Sequence, residues 1–144
     1  MRAEHFEYLA QIGATKVARE RAATLWGYVS SMAPAELKSV YMCDLFVEEG
    51  VRAYSNIWFF TDKYYSECRN FIENTHFDYT SLKEVPRWVD VSAVNYDFHQ
   101  AGDTSSMRVE GRLGENTAFT LTAVRNNCDH LKALISNYFV PFAA

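Results

Sequence analysis

Residues 57–71 constrain the fold more than any other stretch of the chain. An apolar run, Ile57-Trp58-Phe59-Phe60, is followed by a polar Thr61-Asp62-Lys63 and a second aromatic run that starts at Tyr64-Tyr65 and trails into Cys68 and Phe71. Aromatic side chains pack well on a pleated surface, so both runs read as strands, and the short polar reversal between them makes a β-hairpin. Such a hairpin anchors a fold while carrying no evident chemistry.

The rest of the composition bounds what surrounds it. The 144 residues are 49% hydrophobic, 15% aromatic and 22% charged, which fits one packed domain over residues 1–144 and not a disordered tail. A chain of this length buries roughly two-thirds of the surface its unfolded form exposes. The net charge is -4 and the longest basic cluster is Arg19-Glu20-Arg21, so no nucleic-acid partner is expected, because phosphate neutralisation calls for a basic stripe. Cys43, Cys68 and Cys128 are odd in number and widely spaced, which builds neither a disulfide framework nor a Cys-x-x-Cys metal knuckle. The amino terminus reads as charged and amphipathic, not as a signal peptide, and no run nears the roughly 18 apolar residues of a membrane span. These features together predict a cytoplasmic protein without a transmembrane segment.

Along the chain, residues 4–32 hold no proline and repeat Phe6, Leu9, Val17, Leu25, Val29 and Met32 near helical spacing, with defects at Gly13 and Arg21. This predicts one long amphipathic helix. Pro34 suits the first turn of a second helix over residues 35–49 ending at Gly50, and the spacing of Leu37, Val40, Tyr41, Asp44 and Leu45 favours it. Ser39-Val40-Tyr41-Met42-Cys43 would also serve as a strand. Beyond Gly50 the period shortens, and strands are predicted over residues 51–54, 57–60, 64–71, 77–79, 88–98, 107–113 and 118–124. Gly114-Glu115-Asn116 reads as a second hairpin turn and residues 101–106 as the longest loop. Leu131, Leu134, Ile135, Tyr138 and Phe139 predict a final helix, capped by Asn126, Asn127 or Asp129 and stopped by Pro141.

About seven antiparallel strands closed by one helix, with the Thr61-Asp62-Lys63 turn between apolar strands, the following Tyr79-Thr80-Ser81-Leu82-Lys83-Glu84-Val85 segment, and Phe119-Thr120-Leu121-Thr122-Ala123-Val124 leading into the final helix, resemble the pleckstrin-homology-like superfold. The likeness is to its bacterial PH-like and GRAM-type domains over residues 50–140. It implies a strongly bent antiparallel β-barrel over residues 50–144, capped by the carboxy-terminal helix; with the helical segment read over residues 1–49, an addition to the simplest PH-like pattern, the expected class is α+β. Members of that superfold hold phosphoinositide head groups or peptides, so the resemblance implies a noncatalytic interaction module. The helical amino-terminal part is expected to dock a protein partner or to mediate self-association while the barrel presents a binding surface, with peripheral anionic-lipid binding as an added role.

For an anionic head group the relevant cations are Lys63, Arg69, Lys83 and Arg87, since phosphate recognition needs several converging donors; the plain alternative is a solvated surface. His5, His76, His99 and His130 stand in no metal-ligand spacing, so no metal is expected, and no glycine-rich phosphate loop, nucleophile elbow or paired-carboxylate motif calls for a cofactor. Cys128 falls at a helix amino terminus, where a dipole lowers a thiol pKa, against the reading of a buried structural thiol. Phe6, Tyr8, Trp26 and Tyr28 lie on more than one side of the amino-terminal helix, which predicts apolar surface beyond what a small barrel covers. The rival reading resembles the NTF2 and ketosteroid-isomerase group, with an aromatic-lined pocket and Asp90 or Asp97 with His99 as acid–base residues. That group ends on strands, so a terminal helix discriminates against it.

Overall fold

The computed structural model describes residues 1–46, 52–69, 71, 79–84, 89–97, 105–113 and 117–138. In order these form helices α1 (Ala3–Gln11) and α2 (Lys16–Met32), strands β1 (Leu37–Phe46), β2 (Arg52–Thr61), β3 (Tyr64–Cys68), β4 (Tyr79–Glu84), β5 (Val89–Asp97), β6 (Ser106–Leu113) and β7 (Thr117–Val124), and helix α3 (Asn127–Tyr138). Hydrogen bonding arranges the strands as a four-stranded sheet, β1-β2-β3-β4, and a three-stranded sheet, β5-β6-β7. The α+β class is as expected; the described strands make two antiparallel sheets and no closed barrel. The expected turn at 114–116, most of the loop at 101–106, and the expected strand ends at residues 77, 78, 88 and 98 lie outside the described residues.

The strands expected separately over 51–54 and 57–60 are one, β2, and the strand expected over 64–71 ends at Cys68, while two expected helices fail for identifiable reasons. The single amino-terminal helix is two helices, because Gly13 takes a φ of 86°, a left-handed conformation that only glycine adopts without strain. Its amide donates to the Ala10 carbonyl at 3.0 Å and the Ala14 amide to the Leu9 carbonyl at 2.9 Å, the paired bonds of a Schellman stop. Thr15 then opens α2, its hydroxyl accepting from the Ala18 amide at 3.2 Å. The helix expected over 35–49 is instead β1. Val40, Tyr41, Met42, Cys43 and Asp44 are buried in succession, which a one-faced helix cannot achieve and a strand covered on both faces does.

The chain divides into two compact units, Met1–Met42 with Tyr54–Val85, and Cys43–Ala53 with Pro86–Ala144. Strands β1 and β2 each belong partly to both. In the first unit, α2 buries Ala18, Ala22, Leu25, Trp26 and Val29 at helical spacing in one core with Ile57, Phe59 and Cys68. Trp26 meets the Phe59 ring at a centroid distance of 5.5 Å, and each such fully buried large side chain stabilises the fold by about 1.5–3 kcal/mol. On β2 the period of two sends Trp58 and Phe60 to the other face, where their rings stack at 6.0 Å and Trp58 meets Tyr65 at 5.7 Å.

In the second unit β6 alternates as expected, with Met107, Val109 and Gly111 buried and Arg108 exposed. These buried positions pair with Ala123, Leu121 and Phe119 of β7. Helix α3 packs on the same two strands and buries Asn127, Cys128, Leu131 and Leu134, the i, i+3, i+4 pattern of an amphipathic helix.

Candidate functional site

The expected hairpin is present, with Phe60 opposite Tyr65 and Ile57 opposite Cys68. Its turn is built by one hydroxyl: Thr61 Oγ1 accepts from the amides of Lys63 at 3.1 Å and Tyr64 at 2.9 Å and donates to the Tyr64 carbonyl at 2.9 Å. Thr61 is itself buried, so this polar turn is held by its own side chain, a threonine version of the local turns that serine and asparagine make.

The four cations expected around it do not all gather. Lys63 sits exposed in the turn, and the Lys83 backbone lies opposite Tyr65 on β4, at the same end of the sheet. Arg69 follows the far end of β3, roughly 20 Å from Lys63 at about 3.3 Å per strand residue, and its Nε donates to Glu67 Oε1 at 2.7 Å. Arg87 lies outside the described residues. Lys63 and Lys83 therefore share one end of the sheet, and Arg69 belongs to the other.

A cluster that the sequence reading did not single out lies in the second unit. Asp44, fully buried on β1, accepts at Oδ1 from the Val124 amide and from Asn127 Nδ2, both at 2.9 Å, and at Oδ2 from Arg52 Nε. It thereby joins β1, β2, the end of β7 and the first residue of α3. Burial pushes its carboxyl above the ordinary range, opposed by Asn127, Arg52 and the Val124 amide. The available signal was a carboxylate set inside the apolar run of residues 40–46, a position held only if the charge finds donors. Beside it a groove of about 330 Å³ runs between Leu45, Phe46, Met107, Arg108, Thr122 and Val124. Both oxygens of Asp44 are committed to holding the fold, and Arg108 at the rim pairs with Glu110 at 2.6 Å.

Cys128 is resolved in favour of the structural thiol. It is buried, its Sγ donates to the Ala123 carbonyl at 3.7 Å, and burial, with Asp44 adding to it, pushes its pKa up to about 11. Burial outweighs the helix dipole here. His5 is likewise buried, its Nδ1 accepting from the Arg2 amide at 3.1 Å, and burial lowers its pKa. Among the described residues no group of three or more His, Cys, Asp or Glu is placed to hold a metal ion, and none of their helices is long and apolar enough to cross a membrane.

Most of the aromatic excess expected of the amino-terminal segment is absorbed. Trp26 is buried, and Tyr8 stacks on Tyr41 at 6.4 Å while its hydroxyl accepts from the Met42 amide at 3.0 Å. What remains outward on α2 is Val17 at 69% exposure, Tyr28 at 47% and Met32 at 52%. On a helical wheel these lie within about 60° of one another, with Tyr28 and Met32 one turn apart and Val17 about 16 Å further along the axis, beyond Arg21 and Thr24. No protein family, no characterised protein and no solved structure matches the chain.

Proposed function

We propose that this protein is a noncatalytic interaction module with the PH-like barrel that its sequence resemblance implies, and that its helical amino-terminal part docks a protein. Four strands and then three, followed by one helix, support the PH-like reading. The observation that carries the function is the outward apolar group of α2, Val17, Tyr28 and Met32, on a helix whose adjoining face, roughly 100° around the wheel, is already filled by its own core. Clustered apolar exposure of this kind marks an interaction surface more often than scattered single residues do. The test is a photocrosslinking amino acid placed at position 28 and, as control, at the exposed Glu7. A protein adduct formed at 28 and not at 7 is expected; no adduct at either position removes the reading.

Peripheral binding of anionic lipid is the added role, for which the shared sheet end of Lys63 and Lys83 is the favourable observation. Sedimentation with vesicles containing anionic lipid tests it: binding that rises with anionic fraction and falls in Lys63→Glu supports it, and binding indifferent to lipid charge ends it. The NTF2-like rival is disfavoured by the helix α3 as the last described element. Its alternative acids, Asp90 or Asp97, lie on β5, and the His99 expected to work with either lies outside the described residues.

A further inference from the structure

Helix α1 starts on a cap that works in only one protonation state. At the third helical position the side chain that reaches back to the cap amide is ordinarily Glu or Gln. Here it is His5, whose Nδ1 accepts from the Arg2 amide at 3.1 Å while its own amide donates to the Arg2 carbonyl at 3.1 Å. An imidazole that accepts at Nδ1 carries its proton on Nε2. That Nε2 is buried without a hydrogen-bond partner among the described residues, Glu4 Oε1 standing 3.9 Å away, and the residue is 5% exposed. Glutamate or glutamine keeps its acceptor at any pH near neutrality; histidine keeps it only while uncharged.

A second proton has to land on Nδ1, and the ring then points a donor at the Arg2 amide, itself a donor. We propose that His5 is an acid-released latch: when its ring takes up a proton, the first turn of α1 detaches from the start of β1 while the rest of the first unit stays folded. Arg2 ties that turn to β1. Its Nη2 donates to the Leu37 carbonyl at 3.4 Å, and its guanidinium pairs with Glu4 at 2.7 Å and with Glu36 at 3.5 Å, Glu36 pairing in turn with Lys38 at 3.1 Å. The Arg2, Glu4 and Glu36 side chains are more than half exposed, where ion pairs contribute little, so the cap decides whether the turn holds. A charged imidazole without a partner does not stay buried, so the ring leaves with the turn. Met1 packs on the core cluster that includes Leu37 and Val40, and release uncovers that apolar surface. Burial, Arg2 and the terminal ammonium oppose the charged ring, Glu4 and the Lys38 backbone favour it, and no charge of α2 acts on it among the described residues. The latch is therefore shut above the ordinary imidazole value of 6.5 and opens as the pH falls below it toward the lowered folded value.

Proton–nitrogen NMR on the full chain between about pH 7.5 and about pH 5, above the range in which Glu4 and Glu36 ordinarily titrate, reads the ring and the turn together. As the His5 ring charges, hydrogen-exchange protection of the Arg2 and His5 amides, each taken against the unstructured rate at the same pH, is expected to fall about fivefold or more, the loss of a helix cap. Their heteronuclear NOE is expected to drop toward that of a frayed end, while the amides of Leu25, Trp26 and Val29 in α2 keep their protection. His5→Gln keeps an acceptor and does not titrate, so its first turn is expected to stay ordered across the whole range. His130 lies in the second unit, and its ring resonances separate its titration from that of His5. A ring that stays neutral down to pH 5 overturns the proposal, as does a first turn whose order is unchanged while the ring charges. So does His5→Gln opening over the same range, or α2 losing protection at the same midpoint, which is unfolding of the unit and not release of its first turn.

Discussion

At the scale of single residues, polar side chains inside the protein act as fasteners. Thr61 makes three hydrogen bonds within its own turn, and Thr61→Val keeps the shape while stripping all of them, leaving two amides to find other partners. A loss of about 1–3 kcal/mol is expected, read as a lower urea midpoint with unchanged slope. His5 gives a pH dependence of definite sign. Its folded pKa lies below the ordinary 6.5, chiefly through burial and also through Arg2, with Glu4 opposing, so the unfolded chain binds the proton more readily. Its contribution is complete above pH 6.5 and is lost as the pH falls below that value toward the folded pKa. His130 is lowered in the same direction by burial, so the informative quantity is the difference between wild type and His5→Gln: denaturation midpoints should converge between neutral pH and about pH 5.

At the scale of elements, the boundaries were set by a few specific groups. Gly13 and Thr15 stop one helix and start the next, and both signals stood in the sequence; the near-helical spacing on either side made one continuous helix look better than two. Asp44 ties two strands, the end of a third and the start of α3. Asp44→Ala leaves the half-buried Arg52 Nε, the Val124 amide and Asn127 Nδ2 without this acceptor, and a cost of about 3 kcal/mol is expected. Asp44→Asn, which keeps an acceptor oxygen at the site, should cost less. Thermal melts of the two variants side by side check the order, and equal losses would mean that the charge, not the acceptor, holds the elements together. Next to this junction Arg125 takes a φ of 54° between β7 and α3. Its guanidinium lies 5.6 Å from the Phe46 ring centre, a cation–π contact that offsets part of the strain of a left-handed residue.

At the scale of the whole molecule, the three thiols are buried, and burial pushes Cys68 up to about 12 and Cys128 up to about 11. Thiolate is the reactive form, so a thiol reagent at about pH 8 should leave the native protein unmodified and label all three once urea unfolds it. Cys68 and Cys128 lie in different units, so mapping the labelled sites through the urea transition reads the opening of each unit separately. The hairpin at 57–71, the alternation of β6 and the amphipathic α3 were legible in the sequence because each is a periodic pattern written over neighbouring residues. The strand identity of residues 37–46 was not, since its spacing suits a helix and only contacts far along the chain, such as Asp44 to Val124 and Asn127, make the extended form the better one. The same holds for the surface of α2: its aromatic content was plain, but which aromatics lie inside was settled by packing, Trp26 against Phe59 and Tyr8 against Tyr41. Local periodicity by itself determined the kind of most elements, residues 37–46 apart, and the charge content showed no basic stripe. Tertiary structure decided which carboxylate is buried and which three apolar side chains of α2 stay outside, because burial is a property of what the rest of the chain brings to a residue.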